Sequence, residues 1–124
     1  MSTYEYIFIC KLLMKAQPNQ LVRLDSEDTV VQLADLFRLM GDPTRLRIIL
    51  ICLTEPISVG DIAERLTLSP SLVSHHLRLL KAARVLRGER RGKQIFYSAL
   101  DDHIRCVIDD MVAHVGEPLD IEGD

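Results

Sequence analysis

The stretch SVGDIAERLTLSPSLVSHHLRLLKAARVLRGERRGKQIFYSAL, from Ser58 to Leu100, decides the architecture. Ser58 followed by Asp61 is a helix start: a hydroxyl for the unpaired amides of the first turn and a carboxylate at the positive end of the dipole. Ile62, Ala63 and Leu66 supply an inner face, and Thr67-Leu68 makes a short turn. Ser69 then caps a second helix with Pro70 at its first position, where a missing N–H is no loss. That helix runs to about Ala83, and two helices joined by so short a turn make a helix-turn-helix.

The second helix divides into faces. Val73, Leu77 and Leu80 repeat with helical spacing and bury, whereas Ser71, Ser74, His75 and Arg78 form a polar stripe without an acid. Small hydroxyls allow close approach to DNA, and a guanidinium pairs with phosphate or guanine. Val85 to Arg90 and Gln94 to Ala99 then read as two strands around an Arg91-Gly92 turn, with Arg87, Arg90, Arg91 and Lys93 at the tip. Ile95, Tyr97 and Ala99 share one face of the second strand. A helix-turn-helix followed by a basic hairpin is a winged helix-turn-helix, mainly α with one β-hairpin, whose wing cations sit on phosphates beside the groove. Double-stranded DNA is the partner this pattern points to, with Ser69, Ser71, Ser74, His75, Arg78, Arg90, Arg91 and Lys93 as its contacts.

Outward from this core the signals thin. Val30, Leu33, Ala34 and Phe37, with Leu36 and Met40, outline an amphipathic helix ending at Gly41. Asp42 and Pro43 open a second helix that is largely buried through Leu53, and Glu55-Pro56 stops it. Residues 1–24 read as an arm or extension, 25–117 as the DNA-binding and dimerisation domain, and 118–124 as an acidic tail. A chain of 124 residues supports one such domain. With 48% hydrophobic and 27% charged residues, wholesale disorder is excluded. No apolar run reaches the roughly 18 residues of a membrane span, and no signal peptide is legible, so a cytoplasmic location without membrane contact is expected. Net charge is −3, yet the charges are sorted. Leu72 to Lys93 carries seven cations against Glu89 alone, and Asp101 onward carries eight acids against Arg105 alone. Two such surfaces suit two different partners.

The run Asp42-Pro-Thr-Arg-Leu-Arg-Ile48 resembles the start of the second core helix in the ArsR/SmtB family of bacterial repressors. Ser69-Pro-Ser-Leu-Val-Ser-His-His-Leu-Arg-Leu-Leu-Lys81, Val85-Leu86 and Arg91-Gly-Lys-Gln-Ile-Phe-Tyr97 resemble its recognition helix and wing. The similarity covers about residues 30 to 117. It implies a homodimeric repressor that binds a palindromic operator and leaves it when an inducer binds.

The last helix, from about Asp101 to Val115, carries the candidate sensor: Asp101, His103, His114 and Glu117. His103 and His114 fall within about 20° of one face, yet roughly 16 Å apart, too far for one helix to close a metal site. Two such helices antiparallel across a dimer axis set Asp101 and His103 of one subunit against His114 and Glu117 of the other. Two imidazoles and two carboxylates in a closed tetrahedron suit Zn2+, with Co2+ as a substitute. The pattern is similar to the C-terminal-helix zinc site of the SmtB-like branch. Where relatives with a second site carry Cys-x-x-Asp, this chain has Ser58-Val-Gly-Asp61, without a thiolate. The alternative is a thiol- or persulfide-responsive repressor of the same fold using Cys52 and Cys106. An enzyme is not expected: His-Glu-x-x-His and a Ser–His–acid arrangement are missing, and four ligands leave zinc no open position.

Overall fold

The computed structural model describes residues 27–118. The expectations for residues 1–24 and for the tail beyond Pro118 lie outside the described residues. In chain order the elements are α1 (Glu27–Met40), α2 (Pro43–Thr54), β1 (Ile57–Ser58), α3 (Val59–Leu66), α4 (Pro70–Ala82), β2 (Leu86–Arg91), β3 (Gln94–Ala99) and α5 (Asp102–Gly116). This is a mainly helical winged helix-turn-helix with a three-stranded antiparallel wing in the order β1-β3-β2.

Four of the helix starts are written in their caps. Asp42, Ser58, Ser69 and Asp101 all accept the amide three residues on, from Arg45, Asp61, Leu72 and Ile104. Pro43 and Pro70 stand at the first turns of α2 and α4. The Arg45 amide, donating to Asp42, holds that carboxyl below its ordinary range.

The core forms where α2, α3, α4 and the wing meet. Ile48, Ile49 and Cys52 of α2, Ile62 of α3, and Val73, Leu77 and Leu80 of α4 are all fully buried. Val85, Leu86, Tyr97 and Ala99 close it from the wing, and Ile108 from α5. Arg105 of α5 donates to the Leu53 carbonyl, one residue before the end of α2. The start of α5 is tied to the base of the wing, because the Leu100 amide bonds the Val85 carbonyl and the Val85 amide bonds Leu80.

Four details depart from the sequence reading. The wing turn is Gly92-Lys93, one residue later than expected, with Arg91 paired to Gln94. A two-residue hairpin needs a positive φ at its first central position, and Gly92 has φ +65°. β1 is not foreshadowed in the sequence because two residues carry no periodicity; Ser58 both pairs with Phe96 and caps α3. Asp101 lies just outside α5 as its cap rather than inside it. Finally, Val30, Leu33, Ala34 and Phe37 remain exposed, and only Met40 of α1 is buried. Helical spacing marks an apolar face but does not say what covers it, and α1 meets the core through its last turns, at Leu36, Leu39 and Met40.

The turn between α3 and α4 holds Thr67 at φ 55°, its amide bonding Glu64 and the Leu68 amide bonding Ala63. A β-branched residue is strained in this left-handed region, where Gly is at ease. Thr67→Gly is therefore expected to raise unfolding stability by about 1 kcal/mol in urea melts with an unchanged slope. A fall in stability would contradict the strain.

Candidate nucleic-acid interface and metal centre

Burial of Val73, Leu77 and Leu80 fixes which side of α4 faces out. Ser71, His75 and Arg78 are exposed on that side and Ser74 is half-buried. The Ser69 hydroxyl accepts the Leu72 amide at 3.2 Å, so this residue sets the helix start and keeps its O–H free to donate to a phosphate. The structure thus sets Ser71, His75 and Arg78 along one exposed face of α4, with Ser69 at its start. Adjacent imidazoles part ways here. His75 points out, while His76 is half-buried with an Nδ1 that finds no hydrogen-bond partner among the described residues. Burial, then the nearby Arg45, push the His76 imidazole below its ordinary range. Sequence reasoning left His76 unassigned. Its place directly before buried Leu77 was the available signal.

In the wing, Arg90, Arg91, Gly92 and Lys93 form an exposed cationic tip. Arg91 pairs with Glu89 at 3.3 Å and lies 5.1 Å from the Phe96 ring centroid, which stiffens the guanidinium. Arg90 donates to the Gly92 carbonyl at 3.3 Å, and Arg87 reaches Ser98 at 3.4 Å. Gly88 stands opposite Tyr97, where a Cβ would come within 3.0 Å of Ile95. A helix with a small polar outer face beside a rigid cationic hairpin suits groove and phosphate at once.

The α5 residues fall into two pairs. Asp101 accepts the Ile104 amide through Oδ1 at 3.0 Å, and its Oδ2 lies 3.7 Å from His103 Nδ1. Both side chains are largely open to solvent. His114 and Glu117 are exposed at the other end, where the Glu117 amide bonds the His114 carbonyl. Among the described residues no three His, Cys, Asp or Glu side chains stand together where they could hold a metal. One chain therefore presents two separated half-sets of oxygen and nitrogen donors, a chemistry that fits zinc or cobalt only if a second chain completes it. Cys52 is fully buried, and burial pushes its thiol up to about 12, far from reactive thiolate. Cys106 is also buried, at 4% exposure.

The fold and its basic face define a winged helix-turn-helix DNA-binding protein. Residues 42–87 match the family described as "Bacterial regulatory protein, arsR family". The chain is 33% identical over 92 residues to a transcriptional repressor SmtB homolog of Synechocystis sp., covering 74% of this chain and 70% of that one. It is 30% identical to a cadmium resistance transcriptional regulatory protein CadC homolog of Staphylococcus aureus, covering 73% and 76%. A homodimeric winged helix-turn-helix DNA-binding domain from Mycobacterium bovis shares the fold, with a TM-score of 0.70 at 18% identity over 78% of this chain and 90% of that one. This chain belongs to the arsR family of bacterial regulatory proteins. It is a DNA-binding transcriptional repressor and not an enzyme. No helix among the described residues is long and apolar enough to cross a membrane.

The wing tip offers a direct test. Replacing Arg90, Arg91 and Lys93 with Ala is expected to weaken DNA binding almost equally for all sequences. The slope of log K against log salt should become shallower by about 1 for each phosphate no longer neutralised. An unchanged slope would remove the wing from the interface.

Proposed function

We propose that the protein is a metal-responsive repressor, with Zn2+ as its effector. It binds a palindromic operator as a homodimer and is released when zinc binds between the C-terminal helices. The observation that carries this reading is the placing of donors at the two ends of α5: Asp101 and His103 at its start, His114 and Glu117 at its close, all exposed, with no metal-sized group of three among the described residues. Zinc would supply a cross-link there, through two carboxylates and two imidazoles. The homodimer draws support from large apolar side chains that stay exposed among the described residues: Val30, Val31, Leu33 and Phe37 on α1, and Met111, Val112 and Val115 on α5. The name of the cadmium resistance relative is in keeping with a metal effector.

The chain's own contacts give a restraint on α5 a route to the DNA face. Asp101 follows Leu100, whose amide bonds Val85, and Val85 in turn bonds Leu80 in the last turn of α4. Arg105 and Ile108 fasten the same helix to α2 and to the core. A shift at the start of α5 is thereby passed to the end of the recognition helix and to the base of the wing. Because coupling between sites is reciprocal, operator DNA must weaken metal binding by the factor through which metal weakens DNA binding. DNA contact in this reading falls to Ser69, Ser71, Ser74, His75, Arg78, Arg90, Arg91 and Lys93. The buried Cys52 thiol gives a thiol-responsive mechanism no support.

Titrating the reduced, metal-free full chain with Co2+ tests the site. The expected result is a set of tetrahedral d–d bands without thiolate charge transfer, saturating at about one metal per chain and bleached by Zn2+. His103→Ala and His114→Ala should each abolish the bands. Strong thiolate charge transfer, or bands that survive both substitutions, would overturn the assignment.

A further inference from the structure

Leu72 is 41% exposed on α4, and it is the one large apolar side chain so exposed among the described residues of that helix's first two turns. Other exposed leucines have a different setting. Leu79, two turns on, lines the groove between α1 and α4 with Leu33, Leu36 and Leu39, and Leu50 sits on α2. Leu72 does not line that groove. Its backbone is pinned, because its amide donates to the Ser69 hydroxyl and the next residue, Val73, is fully buried. The direction of the side chain is therefore set by the helix start. Ser71 precedes it and His75 lies one turn on, both exposed and polar.

The N-terminal turns of a recognition helix are where side chains meet base edges in the major groove. That groove offers donors and acceptors at every base pair but only one apolar group, the C5-methyl of thymine. The hydroxyl and imidazole of Ser71 and His75 have the chemistry to pair with the former, and a leucine gains nothing from them. We propose that Leu72 is a specificity-determining residue of the operator, packing on a thymine methyl, so that each half-site carries a thymine where it lands. The proposal rests on the DNA-binding function and adds to it one base preference with a chemical cause. Removing the leucine alters which sequence is preferred, and leaves the phosphate contacts of the wing as they are.

The test uses the full chain and a duplex that it selects from a random pool. Each thymine of that duplex is replaced in turn by deoxyuridine, which lacks only the methyl group. At one position per half-site the replacement should lower affinity about fourfold, the factor for one methyl-sized group withdrawn from apolar contact. Leu72→Ala should bind the dT and dU duplexes equally, with the melting temperature and salt slope of the parent chain. Leu72→Met, which keeps an apolar contact, should retain the discrimination. Indifference of the parent chain to deoxyuridine at every position would overturn the proposal, as would a Leu72→Ala chain that still discriminates. A parent chain that selects no sequence at all would overturn sequence-specific DNA binding itself, a separate and recognisable outcome.

Discussion

The inner stripe of α4 carries the architecture. Val73, Leu77 and Leu80 are fully buried against Ile48, Ile49 and Ile62, so the helix has one orientation about its own axis. Fully burying side chains of this kind contributes roughly 1.5–3 kcal/mol each, and truncating one to Ala costs about 2–5 kcal/mol. A rotation that exposed the stripe would forfeit all three. The polar outer face, and with it Ser71, His75 and Arg78, is held in place by that penalty rather than by contacts of its own. The same packing positions the wing. Val85 follows the end of α4, is itself fully buried, and leads into β2, which carries the chain to the basic tip.

Much of this was legible because caps and spacing act locally. Asp42-Pro43, Ser69-Pro70 and the Ser58/Asp61 start mark the beginnings of α2, α4 and α3 through amides only three residues away. The inner stripe of α4 follows from helical periodicity alone. What escaped the sequence depends on partners distant along the chain. β1 is two residues that become a strand only because Phe96 and Tyr97 pair with them. Arg105 looked like one cation in an acidic segment, yet it donates to the Leu53 carbonyl far upstream. The amphipathic pattern of α1 was correctly apolar, but Val30, Leu33 and Phe37 on its face stay exposed among the described residues. His76 and Leu72 show the same limit at the interface. One turn apart on α4, His76 is half-buried and Leu72 is exposed, and only packing distinguishes them.

The candidate sensor obeys a different constraint. α5 is a helix of 15 residues, and its two donor pairs stand at opposite ends. A rigid helix cannot bring its own ends together, so any ion that uses both pairs must use two chains. Asp101 has a double role in this arrangement. One carboxylate oxygen caps α5, which orients the side chain, and the other faces His103. The cap sits one residue beyond Leu100, where the backbone is bonded to the base of the wing. In the proposed function, a metal held at Asp101 would therefore act on the short segment that joins the cap of α5 to the base of the wing and the end of α4.

Complementation between two disabled chains tests that shared site most directly. One chain carries Asp101→Ala with His103→Ala, and the other carries His114→Ala with Glu117→Ala. If each site takes one pair from each subunit, neither variant binds metal alone, but a mixed dimer contains one intact site beside one empty of ligands. After subunit exchange, Co2+ bands of the parent type should return at about one metal per mixed dimer, and Zn2+ should again weaken operator binding. Bands that stay absent from the mixture, while both variants fold and dimerise, would contradict a site built between the two C-terminal helices.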